Sequence, residues 1–367
     1  MPPARRIVRR RASAGPATIG VEVCGMAWSG RWGLVVAAAA TALAPAASRG
    51  DEPRRIATLA PDGSPWMRIL ERGAAEVERR TGGRIKTKFY AGGSQGDERD
   101  VVRKMRLGQL DGAALTSIGL GMIYPGIRVL ELPFLFESTG EIDYVRAKMW
   151  PHFREQFAQR GFELLIPGDV GWIHVFTKRP IRTADDLQRL KMWAWTDDPI
   201  VRRLFKAMGL DGVPMGVPAV LPALQAGRID AAYGSALAAV ALQWHTQVSY
   251  MIDQPVGYGL GAMVMRTDVW NRASPADRAV QVEVAASLAR ESIARTRRDN
   301  RRALAAMRKN GLAVVPAPAD VAARLRQAAV ALREQLVGEV YTAEELAMAL
   351  RYRDEYRAAR AARAADR

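Results

Sequence analysis

From Arg54 onward, apolar and polar positions fall into short blocks that switch between a two-residue and a helical period. RRIATLA (Arg54–Ala60) reads as a short strand. Trp66–Arg80 has helical spacing, with Ile69, Leu70 and Val77 on one face, and Thr81-Gly82-Gly83 ends it. RIKTKFY (Arg84–Tyr90) alternates as a half-exposed strand does. The glycine turn AGGSQGD leads into a helix over 97–107, capped by Gly108, and Gln109–Ser117 reads as a buried strand. LELPFLF (Leu130–Phe136) reads as an apolar loop. Helices are expected at Glu141–Lys148 and Pro151–Arg160, and separate strands at Phe162–Ile166 and Trp172–Thr177. Thr183 caps a short helix at Ala184–Leu190. Then follow a strand at Lys191–Trp195, helices at Asp198–Met208 and Val217–Gln225, and a strand at Arg228–Tyr233. This alternation predicts a mostly parallel sheet covered by helices. After Ser274 the pattern becomes helical and rich in Ala and Arg: Pro275–Asn310, Ala319–Glu339 and Thr342–Arg363.

One internal echo bears on function. MRLGQLDGAALTS (Met105–Ser117) resembles LQAGRIDAAYGS (Leu224–Ser235). Both read as helix end, glycine cap, strand, then a hydroxyl residue. Two such units place two strand ends in two lobes, and ligands of open α/β sheets sit outside the carboxyl ends of strands. The competing reading is chance recurrence of a common helix–glycine–strand unit.

The first 48 residues read differently. Gly33–Ala44 is an apolar run of twelve residues, preceded by Arg5, Arg6, Arg9, Arg10, Arg11 and Arg31. Twelve residues match a secretory h-region, and a bilayer span needs about twenty. Ala44-Pro45-Ala46 supplies a small-residue cleavage site. A signal peptide over 1–48 is therefore expected, with Met26 as an alternative start. Cys24, the single cysteine of the chain, precedes the apolar run and would leave with the signal. A disulfide framework within the chain is excluded.

The 367 residues are 49% apolar and 25% charged, a globular composition of about two domains. Net charge is +16, and residues beyond 48 keep +11. Eight of the 54 basic residues are lysines, which points to arginine bias in the source. No basic cluster interleaves with aromatics as a nucleic-acid site requires. Arg357, Arg360 and Arg363 read as a solvated helix face. His152, His174 and His245 lack the company of a metal site, so neither a metal nor a cofactor is expected. Gly92-Gly93-Ser94-Gln95-Gly96 matches G-x-S-x-G, the pattern of a hydrolase nucleophile elbow. Too few strands precede it and no oxyanion motif lies upstream, so a tight turn is the preferred reading and no enzyme is expected.

Taken in order, these segments resemble the solute-binding proteins of TRAP (tripartite ATP-independent periplasmic) transporters, the DctP-like family. The resemblance runs from about Ile56 to Met348. It rests on Gly82–Ile85, Ser94–Arg99, LELPFLF, KRPIRTADDLQRLKMW (Lys178–Trp193), LQAGRIDAAYGS and the apolar strand before Asp268-Val269-Trp270. It implies an α/β, two-lobe periplasmic binding protein fold of type II, with a hinge, a long bridging helix and C-terminal bracing helices. The expected division is 54–170 plus 261–300 for lobe I and 171–260 plus 301–367 for lobe II. It implies a periplasmic solute receptor that hands a small molecule to TRAP membrane permease subunits. In a TPR-associated branch a TPR-containing periplasmic protein is a further partner. The alternatives are an ABC-type or signalling receptor of the same fold, and a periplasmic hydrolase using Ser94.

Departures from the family pattern set the ligand expectation. Trp193 stands where relatives usually carry the arginine that grips a substrate carboxylate, and Ile173 stands where a second cleft arginine is common. Tyr233-Gly234 replaces a Glu-Asn pair, and Thr116 and Gly119 replace charged positions. Asp97 is retained. The expected ligand contacts are Trp193, Trp195, Tyr233, Trp172, Ile173, Thr116, Ser117, Gln95, Asp97 and Ser235, with Trp244 beside them. A cleft so built disfavours a simple dicarboxylate. The competing reading puts Trp193 and Trp195 in the core.

Overall fold

A computed structural model describes residues 52–365. The expected signal peptide, with Cys24 and the apolar run, lies outside the described residues. The first lobe begins with β1 (Arg54–Thr58), α1 (Pro65–Arg80), β2 (Thr87–Tyr90), α2 (Glu98–Arg106), β3 (Gly112–Thr116) and α3 (Ser117–Ile123). A 3-10 stretch at Pro125–Glu131 and α4 (Thr139–Ala158) complete this part. The chain then enters one long strand, β4 (Phe162–Thr177). Beyond it lie α5 (Ala184–Gln188), β5 (Met192–Trp195), α6 (Pro199–Met208), β6 (Gly212–Met215), α7 (Val220–Gln225), β7 (Ala231–Gly234), α8 (Ala236–Ala241) and β8 (Tyr250–Ile252). The return strand is β9 (Gly257–Arg266), followed by α9 (Thr267–Asn271), α10 (Pro275–Lys309), β10 (Ala313–Val315), α11 (Ala319–Gln335) and α12 (Ala343–Ala365).

Local chemistry fixes the helix starts. Ser64 accepts from Met67 N ahead of Pro65, and Thr183 and Asp186 close a reciprocal capping box. Asp198 caps α6, which ends at Gly209 in the left-handed region (φ 68°).

The strands run in the order β2-β1-β3-β9-β4-β7-β5-β6. β1 pairs in parallel with β2 and β3, whereas β9 is antiparallel to both β3 and β4. β4 is antiparallel to β7, and β5 is parallel to β6 and β7. The sheet is thus mixed, and the expectation of a mostly parallel one is corrected. The two strands expected at 162–166 and 172–177 are a single β4, because β9 supplies partners from Phe162↔Arg266 to Ile173↔Gly257. Bulges near Ile166 and Gly171 absorb the Pro167-Gly168 interruption. Likewise, Pro151 sits inside a single α4.

β4 and β9 form the hinge. β3 pairs with β9 only at Gly261–Met265, and β7 pairs with β4 only from His174 to Thr177. Between them, Asp169–Ile173 and Gly257–Leu260 make a two-stranded ribbon with no third strand, the form of sheet least able to resist bending. Gly171 sits there at φ 120°, and a Cβ would meet Asn300 Nδ2 at 2.6 Å. The 35-residue α10, about 52 Å long, spans this ribbon. It packs on α1, β4 and α8. Asn300 donates to Val170 O at 3.0 Å and accepts from Leu237 N at 3.0 Å. Buried Asp169 accepts from Arg146 at 2.6 Å and Arg297 at 2.8 Å. This ties the ribbon to α4 and α10.

The assignment of all of 301–367 to the second lobe is corrected for α12, which lies on α4 of the first. Arg357 reaches Glu141, Tyr144 donates to Glu355, and Tyr356 covers Gly140. Arg357 is therefore an ion-pair partner and not a purely solvated charge.

Candidate ligand-binding site

A cavity of about 360 Å³ lies between the lobes, at the carboxyl ends of β3, β5 and β7. That is the position expected for a ligand of an α/β sheet. Its walls are almost wholly apolar. β5 has the sequence Met-Trp-Ala-Trp, so Trp193 and Trp195 project to the same face. Trp193 stacks on Tyr233 (centroids 4.6 Å, 18° between planes) and meets Trp244 edge-on at 5.3 Å. Trp195 lies 5.7 Å from Trp193. The Trp193 indole donates to Met215 O at 2.9 Å, so its one polar atom is satisfied without a ligand. Trp193 is only 1% exposed. It belongs both to the packed core of the second lobe and to the cavity wall.

Of the ten contacts expected from sequence, six line this cavity: Trp193, Trp195, Tyr233, Ile173, Thr116 and Ser117. The other four are committed elsewhere. Trp172 packs edge-on against Tyr258 at 5.0 Å. Gln95 accepts from Lys104 Nζ at 3.0 Å. Ser235 is fully buried and caps α8 through Ala238 N. Asp97 accepts from the Trp195 indole at 2.7 Å, a hydrogen bond from one lobe to the other. The fit is close: a Cβ at Gly216 would lie 2.6 Å from Asp97 Oδ2. Burial raises the Asp97 pKa, while the hydrogen bond from Trp195 opposes the rise. The turn carrying Ser94 leaves that side chain exposed, with no hydrogen bond to a histidine or an acid among the described residues.

The charged groups of the cavity were not among the ten expected contacts. Arg128 is the only cation among its lining residues. It is buried and held by Asp198 at 3.0 Å and Glu131 at 3.3 Å. Asp198 comes from the second lobe and also accepts from Ile200 N at 2.9 Å. Burial raises the Glu131 pKa, against the pull of the Arg128 guanidinium. Glu98, at the start of α2, accepts from Thr116 N and Gly119 N at 2.6 Å each and from Thr116 Oγ1 at 2.8 Å. Burial pushes its pKa up to about 8. The available signal was a lone arginine and a lone glutamate inside the apolar run from Ile127 to Phe136, since charges in such runs are buried and paired. No group of side chains able to hold a metal ion occurs among the described residues. No described helix is long and apolar enough to cross a membrane.

Residues 56–338 match the family model described as bacterial extracellular solute-binding protein, family 7 (DctP). A solute-binding protein of Verminephrobacter eiseniae is 25% identical over 244 residues, 66% of this chain and 72% of that one. One of Chromohalobacter salexigens is 30% identical over 174 residues, 47% of this chain and 52% of that one. Among solved structures, DctP7, a Bordetella pertussis extracytoplasmic solute receptor binding pyroglutamic acid, superposes with a TM-score of 0.77 at 19% identity, covering 83% of this chain and 100% of that one. The sugar acid binding protein DctPAm of Advenella mimigardefordensis, in complex with galactonate, gives 0.78 at 17% identity, covering 84% and 99%.

Proposed function

The chain belongs to the bacterial extracellular solute-binding proteins of family 7, the DctP family, and on that premise we infer that it is an exported receptor of a TRAP-type transporter. It closes two lobes on a small organic molecule and delivers it to the membrane permease. A periplasmic location follows the family and the secretory pattern of residues 33–44. A TPR-containing partner is part of the proposal where the transporter belongs to that branch. Solute reception without chemical conversion is the reading for Ser94 as well, since its side chain is exposed and holds no base.

The ligand differs in kind from the acids held by the structural neighbours, such as pyroglutamic acid and galactonate. One observation carries this. Among the described residues that line the cavity, Arg128 is the sole cation and already faces two carboxylates, while Trp193 and Ile173 add only apolar surface. A carboxylate entering here would find no free cation, and its dehydration would go uncompensated. An apolar body instead gains about 0.8 kcal/mol per buried methylene. Calorimetry against succinate, sialic acid, an aromatic amine and a medium-chain lipid tests the reading. Uptake of the amine or the lipid, with succinate and sialic acid silent, is the expected result. Micromolar binding of either acid would refute it.

A further inference from the structure

Two polar atoms on the cavity wall, Ser117 Oγ and Arg128 Nε, lack hydrogen-bond partners. Ser117 is 2% exposed and Arg128 4%. Ser117 Oγ faces Glu131 without a hydrogen bond of acceptable geometry. Arg128 Nε lies 3.3 Å from Glu131 Oε2, again out of line, so its N–H has no acceptor. Buried donors left without acceptors are costly and uncommon. These two lie in one neighbourhood: the Arg128 side chain covers Gly121 of α3, whose first residue is Ser117.

Apart from a few buried carboxylates, the rest of the cavity is mostly apolar and reaches far. Its lining includes Ile69 of α1 in one lobe and Val321 of α11 in the other. It touches both faces of β5, at Trp193 and at Met192. Its volume is about 360 Å³. An apolar cavity of about 150 Å³ holds benzene, so this one holds roughly fourteen non-hydrogen atoms.

We propose that Ser117 and Arg128 form a head-group site for one uncharged acceptor oxygen, a hydroxyl or a carbonyl, on a ligand whose remainder is apolar. The proposal rests on the solute-receptor reading and names the ligand class for that same cavity. Charge sets the choice of head group. A carboxylate would be a third anion around one guanidinium that Asp198 and Glu131 already neutralise. A neutral oxygen accepts from Arg128 Nε–H and Ser117 Oγ–H without adding charge. An ammonium group carries only donors and cannot accept from Arg128 Nε–H or Ser117 Oγ–H.

The test uses a ten-carbon series on the mature protein: 1-decanol, 2-decanone, decanoate and decylammonium, with succinate as the acid control. Affinity is read by tryptophan fluorescence and calorimetry, and closure by the scattering radius of gyration. 1-Decanol and 2-decanone are expected to bind at least tenfold more tightly than decanoate or decylammonium. Ser117→Ala should weaken both about fivefold, the loss of one neutral hydrogen bond, with the melting temperature unchanged. Arg128→Lys keeps the cation and removes the Nε–H, and should weaken both probes in the same direction. Equal or tighter binding of decanoate, or unaltered affinity in both variants, would overturn the head-group site while leaving solute reception standing. Failure of every probe to bind or to close the lobes would overturn both readings.

Discussion

β3 in the first lobe and β7 in the second each deliver a hydroxyl that caps the next helix. Thr116 accepts from Ile118 N at 3.2 Å, and Ser235 accepts from Ala238 N at 3.2 Å. The two hydroxyls stand 119 residues apart in sequence, the interval of the internal echo. Two residues before each cap the units diverge, with Ala114 in the first and Tyr233 in the second. Tyr233 accepts from Trp195 N at 3.1 Å and stacks on Trp193, so the second lobe presents an aromatic wall. The small Ala114 leaves room in the first lobe, where Glu98, Ser117, Arg128 and Glu131 gather at the cavity. The same backbone unit therefore presents polar groups from one lobe and apolar surface from the other. The ligand meets a two-sided cleft, and the lobes meet each other through Arg128–Asp198 and Asp97–Trp195.

The largest expected effect comes from removing the polar side of the pair. Arg128→Met leaves Asp198 and Glu131 buried without their cation and should destabilise folding by about 3–5 kcal/mol. Urea denaturation measures this. Adding Asp198→Asn should recover part of the loss, and no recovery would mean that the pair is not coupled. Next comes the bond joining the lobes. Asp97→Ala removes the acceptor of the Trp195 indole, worth about 1.5–3 kcal/mol for a charged acceptor. The cost falls on the closed form, so the ligand-free protein should show a larger radius of gyration. An unchanged scattering curve would show that closure does not depend on this bond.

A third effect depends on pH. Burial raises the Glu98 pKa from its ordinary 4.5 to about 8. The folded state therefore holds this proton more tightly than the unfolded chain. Its contribution is fully present below about 4.5 and declines as pH rises toward 8, by at most about 1.4 kcal/mol per unit. Glu98→Gln should flatten stability across that window, and identical profiles for the two proteins would contradict the assignment. The smallest effect separates the two hydroxyls. Ser235→Ala should cost about 1 kcal/mol of stability as a lost helix cap, with ligand affinity intact. A change in affinity would place Ser235 in contact with the ligand.

The features legible in the sequence are local. Caps such as Thr183–Asp186 and Asp198-Pro199 announce their helices, and alternation in Met-Trp-Ala-Trp places both indoles on one face. What failed depends on partners far along the chain. Pro167-Gly168 reads as a break, yet β9 holds β4 continuous across it from more than ninety residues away. Arg128 meets Asp198 across a separation of 70 residues, and no pattern near either one forecasts the pairing. Helix α12 reads as a second-lobe brace with a solvated arginine stripe, and only the docking of Tyr356 over Gly140 shows which lobe it joins. Gln95 and Ser235 follow strands in the sequence, but Gln95 accepts from Lys104 and Ser235 caps α8. Their polar atoms satisfy the protein itself.

The central claim is that this receptor selects an apolar, non-acidic solute. Native mass spectrometry of ligand retained by protein freshly isolated from the periplasm tests it most directly. The account predicts an uncharged molecule of roughly fourteen or fewer non-hydrogen atoms, mostly hydrocarbon. Recovery of a dicarboxylate or a sugar acid would contradict it.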